Sequence, residues 1–397
     1  MFGDAQMSQL MARSPDPVDV PRLSRRAVLR LTVAAGLALA LGDSTRLPVR
    51  AAAPARALPL PRAQEVVLPP APGPERSVSR DASGALTASG RSPGTVAPLL
   101  TPNPSFYITT KNAAGDPVVD RDSWRLALVG AVANPVQLDL KLLYQLPAVT
   151  ITKTLECISN LVSDCAAAPY GCDLISTATW KGASLRDVLS LAGGATPDAQ
   201  SIVVSSVDEY SATIPADDAT LDGTLLVYEM NGAVLPLEHG YPARLLVPGR
   251  FGMKSPKWVV SISPTADVPP DWYGQRGWSA TAVVQTMTRI DVPGDGQALP
   301  AGEQQIAGIA YAGSRGIARV EFSADGGQSW QPATFMEPAA GSDAWVRWSG
   351  SFTLSGPTRL VARAVDGSGA PQVETPSPPQ PDGATGLHTI QVNVANG

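Results

Sequence analysis

The sequence predicts an α+β chain in which a mixed α/β domain is followed by a β-sandwich of immunoglobulin type. Three observations carry that expectation. Between about residues 105 and 265, strand-like runs are interspersed with a helical pattern. After about residue 280 the helix signals vanish, and short runs of alternating apolar and polar residues take over. Ahead of both lies a Pro- and Ala-rich stretch that cannot bury enough apolar surface to offset its chain entropy.

In chain order, the first element is a short apolar run. Arg25 and Arg26 precede Leu31–Leu41, which suits the hydrophobic region of a signal and is too short to span a bilayer. The pair reads as a twin-arginine export address, with small residues for cleavage at Ala51–Ala57. An ordinary signal or a short uncleaved anchor is the alternative. Residues 1–57 are therefore expected to be the signal region of a periplasmic or otherwise extracytoplasmic protein. Residues 45–104 hold 12 Pro in 60 positions and no Lys, so 58–104 is expected to be a disordered or extended linker.

The next segment, 105–280, is expected to form the mixed domain. Trp124–Val132, Ser201–Val207, Ala243–Val247 and Trp258–Ile262 read as strands. In Ser184–Ala192, Leu185, Val188, Leu189 and Ala192 share one helical face. Ser184 can cap that helix, Asp187 stands three residues on, and Gly193-Gly194 ends it. In 281–397, Ala318, Val320 and Phe322 alternate with Arg319 and Glu321 until ADGG (324–327), a hairpin-type turn, and Trp330 opens the return. Ala344–Trp348, Thr358–Val365 and Leu387–Val394 alternate likewise. Ile390, Val392 and Val394 would face a core, with Gln391 and Asn393 toward water. No Cys…Trp…Cys framework marks an antibody-like domain.

Composition narrows the chemistry. Charged residues are only 16% of the chain and the net charge is −5, which argues against nucleic acid as a partner, since phosphate backbones need a basic face. Only two His (His239, His388) and three Cys (Cys157, Cys165, Cys172) are present. Four-cysteine zinc sites are impossible, a two-Cys two-His site would use both His, and no CxxCH haem attachment exists. Cys165 and Cys172 flank the turn-rich AAAPYG and either close a small disulfide or stand as two loop thiols. Cys157, in TKTLECISN, fits three roles: a small buried residue, a nucleophile without an evident His/Asn partner, or a single soft ligand to a metal held mainly by a cofactor. The stretch 238–258 gathers His239, Arg244, Arg250, Lys254 and Lys257 around Gly-rich turns. It is either a solvated face or an anion site in which cations and turn amides grip a phosphate.

Taken together, these segments resemble the sulfite oxidase family of molybdopterin enzymes over about 100–397. TLECISN resembles the strand-to-loop segment with the molybdenum-ligating Cys. LLVYEMNGAVLPLEHGYPARLLVPGRFGMKSPKWV (225–259) is similar to the pterin-phosphate segment, WYGQRGWSA (272–280) to the active-site loop, and GIAYAGSRGIARVEFSADGGQSW (308–330) to the start of the immunoglobulin-like dimerisation domain. The resemblance implies a molybdopterin-binding domain over 105–280, a dimerisation-type domain over 281–397 and a possible homodimer. It implies Cys157 as the metal's protein thiolate, and His239 and Arg244 as grips on the cofactor phosphate. Ser255 and Lys257 would be further cofactor contacts, with Asp208, Asn160, Tyr107 and Thr109 around the pterin. Leu161 and Val162 stand where the family carries two Arg, Thr109 where it carries another, and Trp278 where it presents a Tyr. The implied substrate is therefore sulfite-like or less charged, with Trp278 and Arg250 beside it and Lys254 as a further source of positive charge. One molybdenum–molybdopterin per chain is implied, without haem or Fe–S, so electrons pass to an external cytochrome or quinone-linked carrier. A sulfoxide-type reductase with the same cofactor, or a secreted non-enzymatic binding protein, is the alternative.

Overall fold

The computed structural model describes residues 66–74 and 76–395; the signal region lies outside the described residues. No helix among them is long and apolar enough to cross a membrane. The first domain holds two five-stranded sheets. In one, Ala148–Glu156 runs antiparallel to Ile175–Ser184, followed by Leu225–Met230 and the short Ala233–Val234, while Arg244–Leu246 pairs on Leu225–Met230. In the other the order is Val136–Leu138, Leu126–Leu128, Val259–Thr265, Ser201–Ser206, Ser211–Pro215. The expected helix forms over Leu185–Ser190. Ser184 Oγ accepts the Asp187 amide at 3.0 Å, Leu185, Val188 and Leu189 are buried, and Gly193 turns at φ 79° to end it. These residues pack with Trp124, Leu126, Ile202, Val204 and Ile262 in one core.

The second domain is the expected sandwich. A four-stranded sheet (Met287–Val292, Gly302–Tyr311, Val346–Leu354, Thr334–Phe335) faces a five-stranded one (Ala298–Leu299, Thr389–Val394, Thr358–Asp366, Ile317–Ser323, Gln331–Pro332). Period-two burial makes the core: Val320, Phe322, Ile390 and Val392 point in, while Gln391 and Asn393 are exposed.

The domains share a buried seam. Lys153, from a strand of the first domain, is fully buried and ion-paired with Asp343; Tyr311 donates to Asp343 Oδ1 at 2.8 Å, and the Gly249 amide reaches Asp343 Oδ2 at 3.1 Å. Ile158, Val162, Phe251, Met253, Ile309 and Trp345 form an apolar cluster across it.

One expectation needs correction. The described part of the 58–104 segment is not a free linker. Ala85–Thr87 pairs antiparallel with Ile108–Thr110, Arg91 forks onto Asp173 at 3.0 and 3.1 Å, and the Ala97 amide donates to Asp291 at 2.9 Å. Composition undercounted what a few ion pairs and a two-stranded ladder can fasten. Gly84 makes the approach possible. At φ 109°, a Cβ there would sit 2.0 Å from Thr110 O.

Candidate functional site

The strand Ala148–Glu156 delivers Cys157 to the wall of a cavity with about 760 Å³ of space not filled by atoms. The Cys157 amide donates to Leu174 O at 2.9 Å, and the Asn160 amide closes a turn on Cys157 O at 2.9 Å. Asn160 then clamps that turn, donating to Glu156 Oε1 and accepting from the Leu174 amide, both at 2.9 Å. Asn160 does not line the cavity; it orients the turn that carries the thiol. Burial pushes the Cys157 thiol up, and hydrogen bonding to Ser159 and Thr109 pulls it back.

The opposite wall comes from the cation-rich stretch. A single 3-10 turn, Leu237–His239, ends at Gly240 (φ 112°), where a Cβ would meet Lys257 Cβ at 2.9 Å. His239 is 2% exposed, lies edge-on to Phe106 at 5.2 Å, and its Nε2 has no partner. Arg244 donates to His239 O at 3.2 Å and Ser255 O at 3.0 Å, and its guanidinium sits 5.4 Å from the Trp180 ring; its Nε is left unpartnered. Lys257 donates to Glu238 O at 2.9 Å and lies 4.2 Å from the Trp258 ring. Burial lowers all three basic groups, His239 well below its ordinary range, Arg244 to about 10 and Lys257 to about 8. Desolvated bases and unpartnered donors converging on one cavity are costly alone and favourable around an anion.

The cavity brings together Tyr107, Thr109, Cys157, Asp208, His239, Arg244, Ser255 and Lys257. Lys111 and Asn112 hold Asp208 through its carbonyl and Oδ2, at 2.6 and 3.0 Å. Besides Asn160, two expected site residues are not brought in. Arg250 forks onto Asp218 at 3.0 Å through two nitrogens and donates to Thr281 O at 3.0 Å, so its charge is already matched. Trp278 packs against the interdomain cluster, edge-on to Tyr273 at 6.1 Å. Lys254 adds no free charge either, being bonded to Asp271 and Thr213 O. Tyr273 and Tyr210 line the cavity instead. Their signals, Tyr273 within the quoted WYGQRGWSA and Tyr210 two residues past Asp208, were in the sequence. Leu161 and Val162 are buried and do not reach the cavity.

A family model described as an oxidoreductase molybdopterin binding domain matches residues 113–273, and one described as a Mo-co oxidoreductase dimerisation domain matches 279–377. The sulfite oxidase of Gallus gallus is 32% identical over 320 residues, covering 70% of this chain and 69% of that protein. The sulfite oxidase of Arabidopsis thaliana is 31% identical over 330 residues, covering 70% and 84%. Among solved structures, the sulfane dehydrogenase SoxCD from Paracoccus pantotrophus shares the fold, with a TM-score of 0.65 at 22% identity over 81% of this chain and 89% of that one. The residues fit such a cofactor: the unpartnered His239 Nε2 and Arg244 Nε provide for a phosphate, and a buried thiol stands where a metal would take it as thiolate.

Proposed function

The chain belongs to the sulfite oxidase family of molybdopterin-dependent oxidoreductases, and on that premise we propose that it moves an oxygen atom to or from a small, weakly charged substrate, exchanging electrons with an external carrier. When bound, the molybdenum–molybdopterin supplies the two-electron oxygen-transfer chemistry. The protein's part is to hold, orient and exclude. Cys157 would supply the thiolate to the metal, held in place by the Asn160-clamped turn. His239, Arg244 and Lys257 would grip the phosphate, with Ser255 and Asp208 fixing the cofactor's edge. The observation that carries this reading is the convergence of Cys157 and the unpartnered His239 and Arg244 nitrogens on one cavity.

The substrate end supports a weakly charged molecule. Around Cys157 the cavity is lined by Tyr107, Thr109, Ile158, Tyr210, Met253 and Tyr273. Burial raises the Tyr107, Tyr210 and Tyr273 phenols, so none of them carries a charge; Tyr210 gives its proton to Met253 O, which leaves Tyr107 and Tyr273 as the donors. A dianion would give up its hydration shell there with no cation among these residues to offset the loss, whereas a neutral or singly charged S=O acceptor loses less and still gains hydrogen bonds. The Cys165–Cys172 bridge is in keeping with export to an oxidising compartment by the twin-arginine route, and the dimerisation-type domain with a homodimer. The test is metal analysis together with Cys157→Ser. The wild type is expected to hold about one molybdenum per chain, and the variant to lose turnover while keeping its thermal transition. Full turnover in Cys157→Ser refutes the assignment.

A further inference from the structure

Two features stand outside this reading: the Cys165–Cys172 bridge and His388. The structure brings them together. Both sulfurs and a ring nitrogen of His388 lie within 4.8 Å of one another, although His388 comes from the last strand region of the sandwich. Three soft donors in one spot suggest a cation site at first sight, but the imidazole is committed otherwise. The Ile290 amide donates to His388 Nδ1 at 3.0 Å, so the lone pair there is taken and the neutral ring carries its proton on Nε2. A metal ligand needs a free lone pair; a ring fixed this way offers a donor.

A donor on a ring this close to a disulfide has a specific use. Thiol–disulfide exchange proceeds faster when the departing sulfur's negative charge is stabilised. The two sulfurs differ in access. Cys165 is half-buried beside exposed Ala166 and Ala167, whereas Cys172 is 2% exposed. We infer that Cys165–Cys172 is a thiol–disulfide exchange site that takes a small thiol at Cys165, with Cys172 as the leaving sulfur beside His388. A thiolate attacks Cys165 Sγ, forming a mixed disulfide and breaking the bridge, and the electron pair of that bond leaves on Cys172. A second thiolate resolves the mixed disulfide. Overall, two thiols of the reductant become one disulfide, and two protons are taken up by the opened cysteines.

The bridge is wired to the cavity. Cys172 O accepts from Arg289 at 2.6 Å, and the adjoining Asp173 pairs with Arg289 and Arg91 at 2.8 and 3.0 Å. Leu174 bonds both Cys157 and Asn160, and Tyr170, inside the bridged loop, packs on the cluster that contains Cys157. Opening the bridge frees the Tyr170 loop from its covalent anchor and loosens the wall beside the thiol turn.

The test uses full-chain holoenzyme with the bridge closed. It is held with glutathione under native conditions, acid-quenched, alkylated and mapped by peptide mass spectrometry. The expected product carries glutathione on Cys165 and alkyl on Cys172, and it forms roughly ten-fold more slowly in His388→Phe. After dithiothreitol, hydrogen exchange is expected to quicken over 157–174 and to stay unchanged in Ser201–Ser206. The adduct position in the unaltered chain carries the test even if His388→Phe unfolds. Glutathione on Cys172, a bridge that opens only in denaturant, an unchanged rate in folded His388→Phe, or unchanged exchange over 157–174 overturns the inference. None of these readouts depends on substrate turnover, so the proposed oxygen-transfer activity stands or falls separately.

Discussion

Replacing Arg244 by Lys keeps the charge and removes the fork, which makes it a sharp test of the phosphate grip. Arg244 is 6% exposed, and its two terminal nitrogens donate to His239 O and Ser255 O at 3.2 and 3.0 Å. A lysine cannot serve both carbonyls and still present a donor where Arg244 Nε now stands unpartnered. A lysine that keeps one carbonyl loses the other, and a charge-assisted hydrogen bond contributes at least about 1.5 kcal/mol of stability. At about 2–4 °C per kcal/mol, the melting temperature should fall by about 3–6 °C. Losing the donor at the Nε position weakens the hold on the cofactor by a further 1.5–3 kcal/mol or so, about ten- to a hundred-fold. The assay is molybdenum per chain by elemental analysis after extensive dialysis, paired with calorimetry. Wild-type molybdenum content together with a melting temperature unchanged to about 1 °C in Arg244→Lys would refute the reasoning.

Further outcomes follow from other sites. Burial lowers His388 to about 4, against about 6.5 in an unfolded chain, so only the unfolded state takes up the proton between those values. Stability should therefore fall as pH drops from about 6.5 to 4, by up to about 3 kcal/mol, and denaturation of the wild type against His388→Phe measures it. Removing the Cys165–Cys172 bridge by double Ser substitution releases an eight-residue ring and should cost about 2.5 kcal/mol in urea titration, with no further loss on adding reductant. Tyr273→Phe should lower kcat/KM by about ten-fold through loss of one hydrogen bond, with molybdenum content unchanged.

Much of this was legible from the sequence because it is local. The Ser184 cap, the alternation through Ile390 and Val392, and the density of cations in 238–258 are properties of short windows. What failed to show was pairing across long separations. Arg250 looked available until Asp218, 32 positions away, matched its charge, and Lys254 likewise met Asp271. The resemblance puts Trp278 beside the substrate, yet the loop's left-handed turn at Gly277 (φ 77°) sets it against the interdomain cluster and leaves Tyr273 at the cavity. Asn160 was close in sequence to the thiol, but its amide is spent on Glu156 and Leu174. The Pro-rich segment misled for a related reason: its composition averages over residues such as Arg91, whose partner Asp173 lies 82 positions on.

That segment has a practical bearing on where the enzyme can be cut. Leu86 lies opposite Thr109 in the small ladder, so residues upstream of the family-matched region brace a residue of the cavity wall. A chain trimmed at residue 105 would keep every cation that grips the phosphate. It would lose the strand that stiffens Thr109 and both tethers that tie 91–97 to Asp173 and Asp291. Anyone transplanting this catalytic domain into another scaffold should therefore carry the chain from before Gly84, treating the apparent spacer as part of the machine.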